Sequence, residues 1–267
     1  MDQLLALAKL PKSTFYYQEK NASKADKYET IRQQIHVIFE VNKSRYGYRR
    51  IHAVLRQSGF AINHKTTQKL MCEMGLQGKQ RRNKYRSYKG AVGKVAPNIL
   101  DRQFKAHNPF EKLVTDVTEF TVCDEKVYLS PILDLFNSEV VSYSISRNPN
   151  FTQTKEMMAG LLAKLPPDAA PIMHSDQGWQ YQMRAFQKML SEHNITQSMS
   201  RKGNCLDNSV MENFFGRLKT EMFFGEHFKS IDEFEEKLNE YICYFNNDRI
   251  SLKRKGMSPV QYRTHSS

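Results

Sequence analysis

The chain has 267 residues, of which 40% are hydrophobic and 25% charged, and its formal net charge is +12 at pH 7. This length and composition allow at least one sizeable buried core and exclude a disordered tail. The charge indicates a polyanionic partner, although charge alone does not separate DNA from RNA or acidic lipid.

The basic excess belongs to the first part of the chain. Residues 1–105 contain 22 Lys and Arg against 7 Asp and Glu, whereas residues 106–267 contain 18 against 21. The four cysteines (Cys72, Cys123, Cys205 and Cys243) form no Cys-x-x-Cys pair, which argues against a zinc finger or a disulfide scaffold. The sequence has no signal-peptide pattern, and no run approaches the roughly 20 apolar residues of a membrane span. We expect a cytoplasmic protein with reduced thiols and no membrane partner.

Residues 1–26 are interpreted as an N-terminal helical segment, and residues 27–77 as an all-α, helix-turn-helix-like DNA-binding domain. Three stretches in the second range carry apolar residues at helical spacing, for example Ile35, Ile51 and Leu70. Asn63 is a plausible N-cap of the third helix, His64 to Met74, which is predicted to enter the DNA. The alternative is a small helical bundle with a solvated basic face.

A cationic stretch with interleaved tyrosines, GKQRRNKYRSYKGAVGKVAPN, follows at residues 78–98. We interpret residues 78–105 as a basic linker. Such a segment can lie along phosphates, with Lys and Arg neutralising charge and Tyr stacking or donating hydrogen bonds. The alternative is a merely solvated tether.

From about residue 110 the pattern changes to strands and helices. The strings KLVTDVTEFTV, KVYLSPILDLF and EVVSYSIS predict three consecutive antiparallel strands. A helix follows and ends at a Pro-Pro pair, then a short apolar strand runs into the turn sequence SDQG, and RAFQKMLSEHN predicts another helix. The predicted order is β-β-β-α-β-α.

Three acids in this half are candidates for chemistry. Asp116 lies in or at the end of the first strand, Asp176 lies where an apolar strand meets a turn, and Glu212 lies on an amphipathic helix that begins near Asn208. Lys219 follows Glu212 by two helical turns. Clustered carboxylates bind the hard divalent cations used in phosphoryl transfer. Taken singly, however, each acid is more typical of a turn or a solvated helix face.

The spacing and the flanking strings together point to a family. Between Asp176 and Glu212 lie 35 residues, and the strings LVTDVTEF, HSDQGWQY and SRKGNCLDNSVMENFF resemble the integrase catalytic core shared by retroviral integrases and insertion-sequence transposases. The similarity is closest to the OrfB-type transposases. It extends from KSTFYY through YGYRRI to YFNNDRISLKRKGMSPVQY, in which Arg249 fits the family pattern, and so covers nearly the whole chain.

This resemblance implies an α/β, RNase H-like integrase core at residues 106–225, with a mixed five-stranded sheet flanked by helices and a C-terminal helical extension at 226–267. It implies that Asp116, Asp176 and Glu212 are catalytic and bind two Mg²⁺ or Mn²⁺ ions. The implied reaction is cleavage at the ends of an insertion sequence followed by transfer of the 3′-OH strand. The implied partners are terminal inverted repeats, target DNA, an OrfA product or OrfAB fusion, and further copies of the chain in a synaptic complex associated with the nucleoid.

Further side chains have subordinate predicted roles. His174 and Asp134 are interpreted as structural, Asp207 or Asn208 as the cap of the Glu212 helix, and Trp179 as a core anchor in preference to a base-stacking residue. Candidate DNA contacts are Lys219, Arg201, Lys202, His64, Lys65, Lys69, Arg49, Arg50, Arg81 and Arg82. A solvated loop remains the alternative for the segment that contains Arg201 and Lys202.

Two other functions remain open at this point. One is a nuclease of the same fold without strand transfer, against which the N-terminal domain and the 35-residue gap argue. The other is a domesticated, non-catalytic DNA-binding regulator, against which the retention of all three acids argues.

Overall fold

A computed structural model describes residues 5, 7, 11–22, 26–79 and 95–266 of the protein. The chain divides into two compact units, Met1–Gly78 and Lys79–Ser267. Within the described ranges, no helix has the length and hydrophobicity needed to cross a membrane.

The first unit is helical. It contains α1 (Lys12–Ala22), α2 (Glu29–Val41), α3 (Tyr48–Gln57) and α4 (His64–Glu73). The Asn63 side chain accepts a hydrogen bond from the Lys65 amide at 2.8 Å, which confirms its prediction as an N-cap. The Arg32 guanidinium joins α2 to α4 through Glu73. The core side chains come from α2, α3, α4 and their connections, as the helical spacing predicts: Ile35, Phe39, Tyr46, Ile51, Leu55, Ile62, Leu70 and Met71.

The second unit is built on one mixed sheet. Its strands are β1 (Lys112–Thr115), β2 (Thr118–Val122), β3 (Glu125–Asp134), β4 (Val140–Ser146), β5 (Ile172–Ser175) and β6 (Thr196–Met199). The long strand β3 pairs antiparallel with β4 on one edge and with both β1 and β2 on the other. Strands β1, β5 and β6 then run parallel to one another.

The expected five-stranded sheet therefore has six strands. The single strand predicted over residues 112–122 is interrupted at Asp116 and Val117, and its two parts, β1 and β2, follow one another along the same edge of β3. The Asp116 carboxylate accepts a hydrogen bond from the Val117 amide at 2.7 Å, in place of a ladder partner. The break places Asp116 at a strand end instead of inside a strand.

Helices cover both faces of the sheet. They are α5 (Phe151–Leu162), α6 (Trp179–Gln182), α7 (Arg184–Glu192), α8 (Ser209–Leu218), α9 (Ile231–Asn247) and α10 (Pro259–Ser266). Because successive side chains of a strand point to opposite faces, Val114 packs into one core with α8 and α9, whereas Leu113 packs into the other with α5 and α7.

A buried ion pair joins the end of α8 to the segment after α9. A π-helical turn, Lys219–Phe223, continues α8, and its Glu221 carboxylate receives both the Nε and the Nη2 of Arg249, at 2.8 and 2.6 Å. The Tyr241 hydroxyl donates to the same carboxylate at 3.0 Å. Burial alone would lower the pKa of the Arg249 guanidinium, but Glu221 outweighs that effect and raises it.

Candidate active site

Strand register brings two of the three acids together. In the parallel pair β1 and β5, Leu113 lies opposite Met173 and Val114 lies opposite His174. Asp116 and Asp176 are each the first residue after its strand, so extending this register by two residues sets them opposite each other, and the charge of Asp176 acts on Asp116. They lie at the edge of the sheet where parallel strands have their carboxyl ends, and α/β sheets commonly bind ligands there.

Tight turns fix both aspartates. The Asp176 carboxylate accepts a hydrogen bond from the Gly178 amide at 2.8 Å, as Asp116 does from Val117. A Cβ atom at position 178 would lie 2.9 Å from Asp176 Oδ1 and 2.6 Å from the Gln180 side chain, so only glycine fits this turn without a shift. The turn thereby holds the Asp176 carboxylate against the Gly178 amide.

Helix α8 carries Glu212 to the same edge. The side-chain amide of Asn208, which lies one helical turn before Glu212, is 3.4 Å from the Thr115 carbonyl at the end of β1. The apolar face of α8 is buried in the core, with Phe214, Phe215 and Leu218 almost fully enclosed. Glu212 projects from the less buried side of the helix and interacts electrostatically with Asp116.

The expected cap of this helix is right in its position, Asn208, and wrong in its hydrogen bond. Asn208 occupies the N-cap position, but neither its side chain nor that of Asp207 accepts a hydrogen bond from the helix. Asn208 is directed to Thr115 instead, and the buried Asp207 carboxylate accepts hydrogen bonds from the side chains of Asn98, Arg102 and Arg201. The Arg201 guanidinium in particular lowers the pKa of Asp207.

Burial disfavours the charged form of both aspartates. Burial raises the pKa of Asp116 well above its usual value, and the charges of Asp176 and Glu212 raise it further. Burial also raises the pKa of Asp176. Since like charges in a poorly solvated site destabilise one another, a bound cation would relieve the repulsion.

The chemistry of these side chains suits a hard divalent cation, because all three offer carboxylate oxygens. The Asn208 Oδ1 atom at the same edge is buried without a hydrogen-bond partner in the described structure, which adds an unused oxygen. In the described ranges, however, no three His, Cys, Asp or Glu side chains are gathered closely enough to hold a metal ion as they stand. The donor chemistry fits a cation, although the described structure does not gather the three carboxylates into one metal site.

Three predicted DNA contacts lie in the second unit. The Lys219 ammonium donates to the Glu119 carbonyl at 2.8 Å and lies over the Phe120 ring, and burial lowers its pKa. The Arg201 guanidinium is engaged by Asp207. Lys202 is exposed, and its side chain makes no ion pair with a described residue. Of the three, Lys202 is the most available to a phosphate.

Five of the other predicted contacts lie in the first unit. His64, Lys65 and Lys69 all occupy the exposed side of α4. On α3, Arg49 is exposed against Tyr48, and the partly buried Arg50 donates to the Arg45 carbonyl. The predicted contacts Arg81 and Arg82 lie outside the described residues.

The structural roles expected for two buried side chains are confirmed. His174 lies between Ser198 and Ser200, with its ring nitrogens 2.9 and 3.1 Å from their hydroxyls, and burial lowers its pKa to about 4. Asp134 ends β3 and accepts hydrogen bonds from the Phe110 and Phe136 amides at 2.7 and 2.9 Å, while burial raises its pKa to about 6.

The expectation for Trp179 is wrong. Its side chain is 53% exposed, whereas Tyr181, two residues later on the same short helix, is completely buried and packs against Phe186. Tyr181 therefore takes the anchoring role. Sequence reasoning did not single out Tyr181, whose hydroxyl lies 3.3 Å from Thr115 Oγ1, directly before Asp116. The sequence places two aromatic residues, Trp179 and Tyr181, just after the predicted turn, but it does not show which of their side chains points into the core.

A mixed sheet with helices on both faces, acids at the ends of β1 and β5 and a third acid on α8 defines a protein of the integrase-core class. Residues 106–205 and 212–266 each match a family described as the integrase core domain, and residues 26–84 match an HTH-like domain. The RNase H-like α/β fold and the helical N-terminal domain predicted from the sequence are thereby confirmed.

Whole-chain relatives specify the family. The chain is 51% identical over 266 residues to a putative transposase of insertion sequence element IS150 from Escherichia coli, covering 100% of this chain and 94% of the relative. It is 55% identical over 205 residues to a transposase-like protein of Haemophilus influenzae, covering 77% and 94% of the two chains. The protein belongs to the insertion-sequence transposases, and as such it binds DNA.

A solved structure supports the fold alone. A chain of the simian T-cell lymphotropic virus intasome, in complex with a regulatory subunit of PP2A, aligns with a TM-score of 0.51 at 13% identity. The alignment covers 76% of this chain and 67% of the viral one.

Proposed function

We propose that this transposase is a DDE-type enzyme in which Asp116, Asp176 and Glu212 catalyse cleavage at the ends of an insertion sequence and transfer of the freed strand. One observation carries the proposal: the continued register of β1 and β5 sets Asp116 beside Asp176, and α8 is joined to the end of β1 through Asn208. Membership of the insertion-sequence transposases supplies the DNA substrate.

The three carboxylates are proposed to hold two Mg²⁺ or Mn²⁺ ions. Bound ions of this kind activate a water or sugar hydroxyl and stabilise charge on the attacking and leaving oxygens. The protein contributes rigid placement of the oxygen ligands. The turns at Val117 and Gly178 fix the two aspartates, and the packed face of α8 fixes the backbone of Glu212.

Two successive displacements at phosphorus account for the reaction. In the first, a water oxygen attacks the phosphodiester at the element end, and the 3′ oxygen of the element leaves as a 3′-OH. In the second, that 3′-OH attacks a phosphodiester of the target, and the 3′ oxygen of the target strand leaves. No bond to the protein forms in either step, so no side-chain nucleophile is needed.

The other assignments remain part of this proposal. Residues 27–77 and the basic linker at 78–105 hold DNA for the catalytic core at 106–225, which residues 226–267 extend. The DNA substrates are the terminal inverted repeats of the element and the target DNA. The reaction takes place in the bacterial cytoplasm. An OrfA product, or fusion to it, and assembly into a multimer complete the synaptic complex. Tight, sequence-specific binding of the terminal repeats by the isolated chain would contradict the need for an OrfA product.

A strand-transfer assay tests the reaction. The substrate is a labelled duplex that reproduces an already cleaved element end, incubated with the chain fused to its OrfA product, supercoiled target DNA and Mg²⁺ or Mn²⁺. We expect joined products that contain both DNAs. An RNase H-like nuclease would give hydrolysis products alone, and a non-catalytic regulator would give neither product.

The contribution of α4 to DNA binding has its own test. Lys65 is exposed, and its ammonium makes no ion pair with a described residue. Changing Lys65 to alanine is expected to weaken binding to all DNA sequences and to lower the slope of log affinity against log salt by about 0.9, the value for one phosphate contact. A titration at several salt concentrations measures both quantities.

Lys155 provides the matched control, because it is an exposed lysine on α5 in the other unit. Its change to alanine should leave the salt slope at the wild-type value. Equal slopes for the Lys65 and Lys155 variants would mean that α4 does not contact phosphate through Lys65.

A further inference from the structure

Trp179 is an exposed aromatic side chain at the edge of the sheet that carries the acids. It lies three residues after Asp176 and is 53% exposed, although a tryptophan buries more apolar surface than any other residue when it is packed. Tyr181 and Phe186 fill the core at this turn, which leaves the Trp179 indole at the surface. An exposed indole next to a catalytic edge is a candidate contact for substrate.

Contacts on both sides hold the short helix that carries the indole in place. Tyr181 is fully buried, with its hydroxyl 3.3 Å from Thr115 Oγ1, and its carbonyl accepts a hydrogen bond from the Gln197 side chain at 2.7 Å. The Gln177 side chain donates to the Ser200 carbonyl at 2.9 Å on the other side of the turn. The short helix α6 is thus tied to β1, to β6 and to the loop that follows β6, so the position of Trp179 is fixed relative to Asp116 and Asp176.

Two cations lie on segments that are connected to the short helix of Trp179. Arg184 begins α7, five residues after Trp179, and Lys202 lies on the loop two residues after Ser200. Both side chains are exposed, and neither makes an ion pair with a described residue. An aromatic face combined with cations is the arrangement that binds unpaired nucleotides, with bases stacked on the ring and phosphates near the cations.

We propose that the Trp179 indole stacks on an unpaired base of the DNA strand next to the phosphodiester held at the three acids, with Arg184 binding a neighbouring phosphate. This proposal rests on the function proposed above for its DNA substrate. Stacking on an aromatic face tolerates any base, so Trp179 would recognise an unpaired strand and not a sequence. It would therefore favour element ends that are frayed or already cleaved over continuous duplex.

Intrinsic fluorescence tests the proposal directly, because Trp179 is the single tryptophan of the chain. The full chain is titrated in EDTA, so that no strand is cut, with a duplex ending in a short single-stranded overhang and with the same duplex blunt-ended. We expect the overhang to quench the indole emission and the blunt duplex to leave it nearly unchanged. An overhang of abasic nucleotides, which keeps the phosphates and removes the bases, should not quench.

Variants separate stacking from charge. Trp179→Ala should weaken binding to the overhang duplex by about 5- to 100-fold and leave blunt-duplex binding unchanged, whereas Trp179→Phe should retain most of the affinity. Arg184→Gln should weaken binding to both duplexes and lower the salt dependence. Leu252→Ala is the matched control, since Leu252 is a similarly exposed apolar side chain on the C-terminal segment.

Two results would overturn the proposal. One is binding of the overhang duplex without any change in emission. The other is an unchanged preference for the overhang in Trp179→Ala, together with a loss of self-association in sedimentation, which would make Trp179 a contact between copies of the chain. Because the titration contains no divalent ion, its result is independent of the strand-transfer assay, and either hypothesis can fail without the other.

Discussion

Replacing Asp116 by asparagine is expected to reduce both element-end cleavage and strand transfer on the order of 1000-fold, a typical loss when a key electrostatic group of an active site is removed. The amide keeps the shape of the side chain, and its oxygen can still accept the hydrogen bond from the Val117 amide. The change therefore removes the negative charge and leaves the turn intact. Cleavage and joining of a labelled element end, followed over time with Mg²⁺ and separately with Mn²⁺, measure the loss.

Two controls separate lost chemistry from lost folding. The melting temperature of Asp116→Asn should equal or exceed that of the wild type, because the substitution relieves the repulsion that raises the pKa of Asp116 beside Asp176. Glu119→Gln removes one charge from an exposed acid on β2, three residues away, and should keep its activity. Wild-type strand transfer by Asp116→Asn would remove Asp116 from the catalytic assignment.

Breaking the buried ion pair between Arg249 and Glu221 is expected to cause the largest loss of stability. The change Arg249→Met keeps an unbranched side chain of similar length but removes the guanidinium that binds both oxygens of the Glu221 carboxylate, which is 5% exposed. Removing one partner of a buried pair typically lowers the free energy of unfolding by about 3–5 kcal/mol. Calorimetry of the full chain should show the transition of the unit that contains residues 79–267 at a clearly lower temperature.

The double variant Arg249→Met with Glu221→Met provides the matched comparison. It leaves no uncompensated charge, so much of the stability lost in the single variant should return. A single variant destabilised by less than about 1 kcal/mol, which is typical of exposed pairs, would show that water or another group replaces Arg249.

Periodicity made much of this fold predictable, and its failures have local causes. The alternation of Leu113 and Val114 between two cores is the pattern that identifies a strand buried on both faces. The sequence does not, however, reveal the break at Asp116. A strand pattern assumes that each backbone amide bonds to a neighbouring strand, whereas the Val117 amide donates to the Asp116 side chain. Strand β6, TQSM, was not predicted, since it is short and half polar.

The candidate site shows the same division. Spacing and flanking strings identify Asp116, Asp176 and Glu212 as a set, but only the pairing of β1 with β5, sixty residues apart in the chain, sets the two aspartates side by side. The cap hydrogen bond of α8 and the burial of Trp179 were mispredicted for one reason. In both cases a tertiary contact overrides a local preference. The Asn208 side chain bonds to the Thr115 carbonyl instead of capping the helix, and Tyr181 takes the core position that was expected for Trp179.

Hydrogen bonds attach residues 95–104 to the catalytic core, and this attachment determines how force along the chain would be transmitted. This segment is the last part of the basic linker. It is held by Ser198 Oγ, which accepts from the Ile99 and Leu100 amides, and by Arg102, which binds Asp207. A pull on the chain from upstream would therefore be taken up first by β6, through Met199 and Ser198, and then by Asp207, two residues before α8 begins. The sheet and the turn that leads into the helix of Glu212 would share the load.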